Sequence, residues 1–357
     1  MSAGIPSAIL VSNLRRQMER ALGSVAPSKA FALLDFPDYP NVGDSAIWLG
    51  TIDYFRRVHG REPAYVCSKN SVDWNAVAQA TPDGTLFLQG GGNFGDLWPR
   101  QQAFREEVLR RFPHHRIVQL PQSIHFDNSA NLARARDVIN AHRDFHLFVR
   151  DRNSYAIATN AFNCPVQLCP DMAFGLRALP PTSPPVYDRV FLLRTDKESR
   201  SAGRTISGGN DHGAQFDWVV DPYLLAKRTK FRTVLSSWRC RDLQQLRANY
   251  YQRLAQARLH RGIKLLAKGR SVVTDRLHGH ILCVMLGISH VAMDNSYGKI
   301  SNFIATWTAD CDLVKYSDTR DGGFGEPVAR QWFHAHDDAA PMHPSLTKAE
   351  SVCGPEI

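Results

Sequence analysis

Charged or titratable side chains crowd the run Thr274-Asp275-Arg276-Leu277-His278-Gly279-His280, directly after the apolar stretch Ser271 to Thr274. A strand that gives way to a helix at Asp275 would place Asp, Arg and His in the first helical turn. Free amides and the positive end of the helix dipole already favour an anion there, so Arg276 and His278 would make a strong anion site. Phosphate or carboxylate is the natural guest. The bland alternatives are an ion pair of Arg276 with Asp275 or another carboxylate, and His280 as a packed histidine.

A second arginine follows another apolar run: Arg194-Thr195-Asp196-Lys197-Glu198 comes after Val190 to Leu193. Two convergent guanidinium forks can hold a ligand that carries both phosphate and carboxylate groups. Asp294-Asn295-Ser296-Tyr297-Gly298-Lys299 follows the strand-like His290 to Met293, which projects Lys299 near the same strand edge or leaves it as a surface lysine at a turn.

The first half of the chain holds softer signals. In Asn41-Val42-Gly43-Asp44-Ser45, Gly43 permits a tight turn and Asp44 or Ser45 can cap the helix that follows. Gly90, Gly92 and Gly95 satisfy a loose G-x-G-x-x-G, the pattern of a dinucleotide site. The acidic residue expected about 20 positions on is missing, because the next strand ends in Gln119-Leu120-Pro121-Gln122. The glycines still bring backbone amides near a ligand, and Asn93, Asp96 and Trp98 supply hydrogen bonds and an apolar face suited to a sugar ring.

These residues need a frame in which strand ends converge. Short apolar runs alternate with helical stretches: Phe31 to Leu34, then a helix after Asp44; Thr85 to Leu88, then one through Phe104 and Leu109. Ile117 to Leu120 precedes a helix from Asn131, and Phe145 to Val149 one near Tyr155. The alternation predicts parallel sheets with helices on both faces, and in such sheets ligands bind beyond the carboxyl ends of the strands. Pro180, Pro181, Pro184 and Pro185 mark a linker, after which the rhythm resumes with a long helix from about Arg241 to Leu266. The expected fold class is α/β, with two Rossmann-like doubly wound domains at residues 1–180 and 186–335 and a tail at 336–357. The polar, Gly-rich stretch from Lys197 to Gln215 reads as a disordered loop or a lid.

At 357 residues the chain is long enough for two cores, and 43% hydrophobic with 22% charged residues places it among globular proteins. A net charge of +9 favours anionic company, but no RNA-recognition strand, zinc-finger spacing or basic zipper points to nucleic acid. Seven scattered cysteines without a C-x-x-C pair read as reduced thiols, no metal-ligand cluster emerges, and no unbroken apolar span reaches transmembrane length. A cytoplasmic location follows. Leu10, Leu14, Met18 and Leu22 form a helical apolar stripe among arginines, which packs into a core or attaches the protein to the inner face of the membrane.

Taken together, Asn41 to Asp44, Gly90 to Asp96, Gln119 to Ser123, Arg150-Asp151, Pro170-Asp171, Arg194 with Asp196 and Glu198, Thr274 to His278, and Asp294 to Lys299 resemble the polysaccharide pyruvyl transferase family. The motifs run in order through about four-fifths of the chain. The resemblance implies two facing Rossmann-type domains in a glycosyltransferase-B-like arrangement, with phosphoenolpyruvate as donor and co-substrate and no cofactor. It carries donor binding over to Arg194, Arg276 and His278, with Leu277 lining the pocket and Lys299 beside them. The first-half residues Asn41, Asp44, Gly92, Asn93, Asp96, Trp98 and Gln122 are then expected to face the sugar acceptor, whether lipid-linked, nucleotide-linked or a finished polymer. His278 is the expected proton donor or phosphate neighbour. Asp44, Asp171 and Asp275 are equal candidates for the base. A nucleotide-sugar glycosyltransferase is the rival reading.

Overall fold

The computed structural model describes residues 4–317 except 178, 180–182, 197, 199–212, 238, 239, 241, 295 and 296. The prolines Pro180 and Pro181, most of the Lys197 to Gln215 segment and the tail at 336–357 therefore lie outside the described residues. A helix α1 (Ser7–Leu22) opens the chain, and strands and helices then alternate. The first half contains β1 (Phe31–Leu34), α2 (Val42–His59), β2 (Tyr65–Cys67), α3 (Trp74–Ala80), β3 (Thr85–Leu88), β4 (Gly91–Gly95), α4 (Pro99–Arg111), β5 (Arg116–His125), α5 (Ser129–Asn140), β6 (Phe145–Val149), α6 (Arg152–Ala161) and β7 (Val166–Leu168). The second contains β8 (Tyr187–Leu192), β9 (Gly213–Phe216), α7 (Leu225–Ser236), α8 (Leu243–Leu266), β10 (Gly269–Thr274), α9 (Leu277–Leu286), β11 (His290–Met293), α10 (Lys299–Phe303) and β12 (Val314–Ser317).

Every strand pairing among the described residues is parallel, in two sheets. The first runs β2-β1-β3-β5-β6-β7, with β4 also beside β5, and the second runs β9-β8-β10-β11-β12. In each sheet the winding reverses beside the opening strand, between β1 and β3 and between β8 and β10. Such a switch point splays the loops at the strands' carboxyl ends apart and leaves a crevice.

The strands are apolar on both sides because both faces of the first sheet are covered. Phe31 and Leu33 of β1 point into one core, and Ala32 and Leu34 into another. The first of these cores also takes Val190, Leu192 and Val272 from the second sheet, so the halves share packing as well as a crevice. Phe36 stacks on Tyr251 of α8 at 3.9 Å, and a Cβ on Gly262 of α8 would come within 2.3 Å of Val42.

Helix α1 resolves the two readings of its apolar stripe. Leu10, Leu14, Met18 and Leu22 are buried against α9 and the Met172–Gly175 turn, and Arg15 donates to the carbonyls of Phe174 and Leu176. Its apolar face is therefore spent inside the protein. No described helix is long and apolar enough to cross a membrane. The segment from Lys197 also departs from expectation at its end, where Gly213–Phe216 forms β9 and pairs with β8.

Candidate active site

A cavity of about 300 Å³ is lined by residues that follow the carboxyl ends of strands from both sheets. The segment after β1 contributes Tyr39, Asn41 and Asp44, and the region around β4 contributes Gly92, Asn93 and Trp98. Arg150 follows β6. From the other sheet come Arg194 and Glu198 after β8, Trp218 after β9, Arg276, Leu277 and His278 after β10, and Lys299 after β11. Asn41 caps α2 by accepting from the Gly43 amide at 2.9 Å, and Arg276 is the N-cap of α9. The positive ends of both helices thus lie at the cavity wall.

Arg150 is fully buried. Its Nη1 pairs with Asp171, its Nε donates to Ser123 Oγ at 3.1 Å, and its Nη2 has no hydrogen-bond partner among the described residues. His278 Nε2 lies 3.6 Å from Asp171 Oδ2, too long for a hydrogen bond, and is also without a partner. Arg276 Nη2 donates to Asp217 Oδ2 at 2.7 Å, while its buried Nε is unpartnered. An unmet buried donor costs about 1–3 kcal/mol, more on a charged group. Three such donors belong to side chains that line one cavity.

Two glycines make room for these groups. A Cβ on Gly43 would stand 2.4 Å from His278 Nδ1, so only glycine lets the imidazole lie against the start of α2. A Cβ on Gly92 would stand 2.1 Å from Lys299 Nζ and 2.8 Å from Arg150 Nη2, which shows how closely these two cationic groups approach. Burial, together with Arg150 and Arg194, lowers the Lys299 ammonium to about 8 although Glu198 opposes the shift. Gly92→Ala should lower kcat/KM about tenfold or more by displacing Lys299 and crowding Arg150 Nη2, and should lower the melting temperature because Arg150 is buried and held by Asp171. Steady-state kinetics beside a thermal melt checks this; unchanged kinetics would mean that the close approach is irrelevant to turnover.

The arginine forks are not free. Arg194 makes two bonds to Asp196, at 2.9 and 3.0 Å, and its Nη2 lies 3.1 Å from Glu198 Oε2. Arg276 adds a 3.5 Å contact to Asp196 to its bond with Asp217. Where the sequence suggested two guanidinium groups open to a ligand, the structure holds both on carboxylates of their own half. Glu198 is the hub: Trp98 Nε1 and Tyr297 Oη donate to it at 3.2 and 3.0 Å, and Lys299 lies 3.8 Å away. Burial alone would raise its pKa, yet Lys299 and Arg194 hold it down to about 2.

Of the three carboxylates considered as a base, Asp44 lines the cavity, and Tyr39 Oη and Asn41 Nδ2 both donate to its Oδ2 at 2.9 and 2.8 Å. Asp171 lies behind the wall, fully buried. Against the upward push of burial, His278 and Arg150 keep it well below the usual carboxylate range. Asp275 also stands back from the lining and accepts from the Arg194 amide at 2.8 Å, and burial raises it to about 6. Two residues expected to face an acceptor do otherwise. Asp96 accepts from the backbone amides of Asp127 and Asn128, tying down the entry to α5. Gln122 is buried beneath the cavity, where it bonds Asn93 and the Gln89 carbonyl. The glycine run forms β4 and not a phosphate loop: its Asn93 and Gly95 amides donate to Gln122 and Gln102.

His280 differs from His278 two residues away. It is buried and bonded to His290 at 2.8 Å and to Thr308 at 2.9 Å, while His290 Nδ1 donates to the Ile288 carbonyl. Burial pushes His280 well below the ordinary histidine value and His290 to about 4. In an unfolded chain both would titrate near 6.5, so the unfolded state binds more protons between about pH 6.5 and 4. The pair's stability contribution, complete above that window, falls as pH drops through it. His290→Asn should therefore reduce the stability lost between pH 7 and 5 by about 2 kcal/mol in urea titrations. Taking the difference between variant and wild type cancels Asp35 and Asp275, which burial raises to about 6 and which titrate in the opposite sense. Identical pH slopes in the two proteins would contradict the assignment.

From the sequence alone Arg150 carries no role in the site. Its position directly after the apolar Phe145 to Val149 run was the available signal, the same rule that picked out Arg194 and Arg276. A family model described as polysaccharide pyruvyl transferase matches residues 41–297. A Bacillus subtilis (strain 168) protein named as the pyruvyl transferase EpsO is 33% identical over 298 residues, covering 83% of this chain and 90% of its own. Pyruvyl transferase 1 of Schizosaccharomyces pombe is 34% identical over 298 residues, covering 80% and 71%. A crystal structure of a functionally uncharacterised protein from Klebsiella pneumoniae subsp. pneumoniae aligns with a TM-score of 0.56 at 20% identity, over 86% of this chain and 99% of that one, and so shares the fold.

Proposed function

Because this chain belongs to the polysaccharide pyruvyl transferase family, we propose that it moves the pyruvyl unit of phosphoenolpyruvate onto two hydroxyls of one sugar and releases phosphate. The observation that carries this reading is the set of three buried, unpartnered donors, Arg150 Nη2, Arg276 Nε and His278 Nε2, around one cavity. A small donor with both phosphate and carboxylate oxygens supplies acceptors for all three at once. In this proposal the cavity is the cleft between two Rossmann-like halves arranged as in glycosyltransferase-B enzymes, and the acceptor enters along Asn41, Asp44, Asn93 and Trp98.

The chemistry then divides among these side chains. Protonating the methylene carbon makes C2 of the donor electrophilic, and one sugar hydroxyl attacks it while Asp44 takes the hydroxyl proton. His278 provides a proton at the donor, and Arg150, Arg276 and the start of α9 stabilise the charge that develops on phosphate as its C–O bond breaks. The second hydroxyl closes the cyclic ketal. Two hydroxyl protons are lost in all; one ends on the new methyl group and the other on phosphate. Phosphoenolpyruvate enters as co-substrate, and side chains handle every proton. Asp171 takes no proton in this scheme; behind the cavity wall it pairs with Arg150 and sits beside His278, holding both in place.

Incubation with phosphoenolpyruvate and candidate oligosaccharides tests the reaction. Proton NMR should show a ketal methyl signal growing in a one-to-one ratio with phosphate. A melting temperature raised by uridine or guanosine diphosphate sugars and not by phosphoenolpyruvate would favour glycosyl transfer instead.

A further inference from the structure

Helix α7 is built inside out. Its buried residues are Thr229 and Thr233, whose hydroxyls donate back to the Leu225 and Thr229 carbonyls at 2.8 Å and so present only their methyl groups to α8. Phe231, Val234 and Leu235 are instead 69%, 55% and 63% exposed. At 100° per residue these three share the arc directly opposite the two threonines. Lys227, Arg228, Lys230 and Arg232 are exposed beside them, and no Asp or Glu occurs between Leu225 and Ser236. Val220 and Tyr223, just before the helix, are 73% and 89% exposed.

A helix that owes its place to packing hides its apolar face. This one turns three apolar side chains outward with lysines and arginines interleaved among them, a surface whose charge complements anionic lipid headgroups. Each lysine or arginine near an anionic bilayer adds attraction, and the apolar side chains add burial that water does not offer. The position also matters, because Trp218 and Val219 line the cavity and Val220 begins the exposed ridge immediately after them.

We propose that Val220, Tyr223 and the outer face of α7 dock on an anionic phospholipid bilayer and hold the cavity near the membrane surface, where an acceptor carried on a lipid would be presented to it. This assignment rests on α7 and not on the donor chemistry.

The full-length protein sedimented with phosphatidylcholine vesicles containing roughly a third phosphatidylglycerol should pellet with them, and added salt should release it. Phe231→Ser/Leu235→Ser and Lys230→Glu/Arg232→Glu should each lower the bound fraction about tenfold or more, while both retain wild-type turnover on a soluble oligosaccharide. Wild-type protein left in the supernatant, or apolar-face variants that bind as well as wild type, would overturn the proposal. So would a dimeric mass by light scattering that becomes monomeric in Phe231→Ser/Leu235→Ser, which would assign the face to a second copy. Hydroxyl-radical footprinting that leaves the Phe231 and Leu235 side chains unmodified in the vesicle-free monomer would assign the face to a segment of this chain and overturn the proposal as well.

Discussion

Arg150→Met is expected to reduce pyruvyl transfer by ~10³-fold or more and to lower the free energy of unfolding by about 3–5 kcal/mol. The two effects have separate causes. The stability loss comes from Asp171, which would remain as a buried carboxylate after losing the guanidinium that pairs with it. The activity loss comes from Nη2, the donor with no partner among the described residues. The double variant Arg150→Met/Asp171→Asn separates them, because it removes the stranded charge. Urea titration should show most of the stability restored, and a phosphate-release assay should show turnover still depressed. Recovery of turnover in the double variant would reduce Arg150 to a structural counterion.

His278→Ala is expected to lower kcat by about 10²-fold or more with a modest change in donor binding, because a proton donor acts in the transition state more than in the ground state. The geometry supports this role over a purely structural one. His278 stands at the start of α9, its Nδ1 side is fixed by the close backbone of Gly43, and Nε2 lies 3.6 Å from Asp171 Oδ2 without a hydrogen bond. Single-turnover phosphate release, read beside donor affinity from a thermal shift, separates the possibilities. A raised KM with unchanged kcat would make His278 an anion ligand and remove it from proton transfer.

Much of the frame was legible because buried parallel strands read as unbroken apolar runs and the helices between them carry periodicity. Phe31 to Leu34, Thr85 to Leu88, Phe145 to Val149 and the long helix ending at Leu266 all stand where the pattern placed them. Three-residue strands such as β2 and β7 were not legible, since so few residues carry no period. Strand β4 was hidden by its glycines, which read as a turn although they pair with β5. The end of the polar stretch, Gly213–Phe216, joined a sheet because β8 offered an edge, a tertiary effect no local pattern contains.

The site divides along the same line. The rule that ligands gather beyond strand ends found Asp44, Arg194, Arg276, His278 and Lys299, all of which line the cavity. It did not separate a side chain that faces the cavity from one that holds a neighbour, and so it grouped Asp171 and Asp275 with Asp44. For Arg276 the alternative of a pair with a carboxylate is the one the structure bears out, through Asp217 and Asp196, whereas the hold of Asp196 and Glu198 on Arg194 had no counterpart in the sequence pattern. Arg150 was overlooked for a related reason: its importance lies in one nitrogen left unmet after Asp171 and Ser123 have taken the others.

A crystal structure of the protein with phosphoglycolate, an unreactive molecule bearing one phosphate and one carboxylate, tests the anion cradle most directly. Ligand oxygens should lie within hydrogen-bond distance of Arg150 Nη2, Arg276 Nε and His278 Nε2 together. A ligand seated elsewhere, with those three nitrogens still unpartnered, would contradict it.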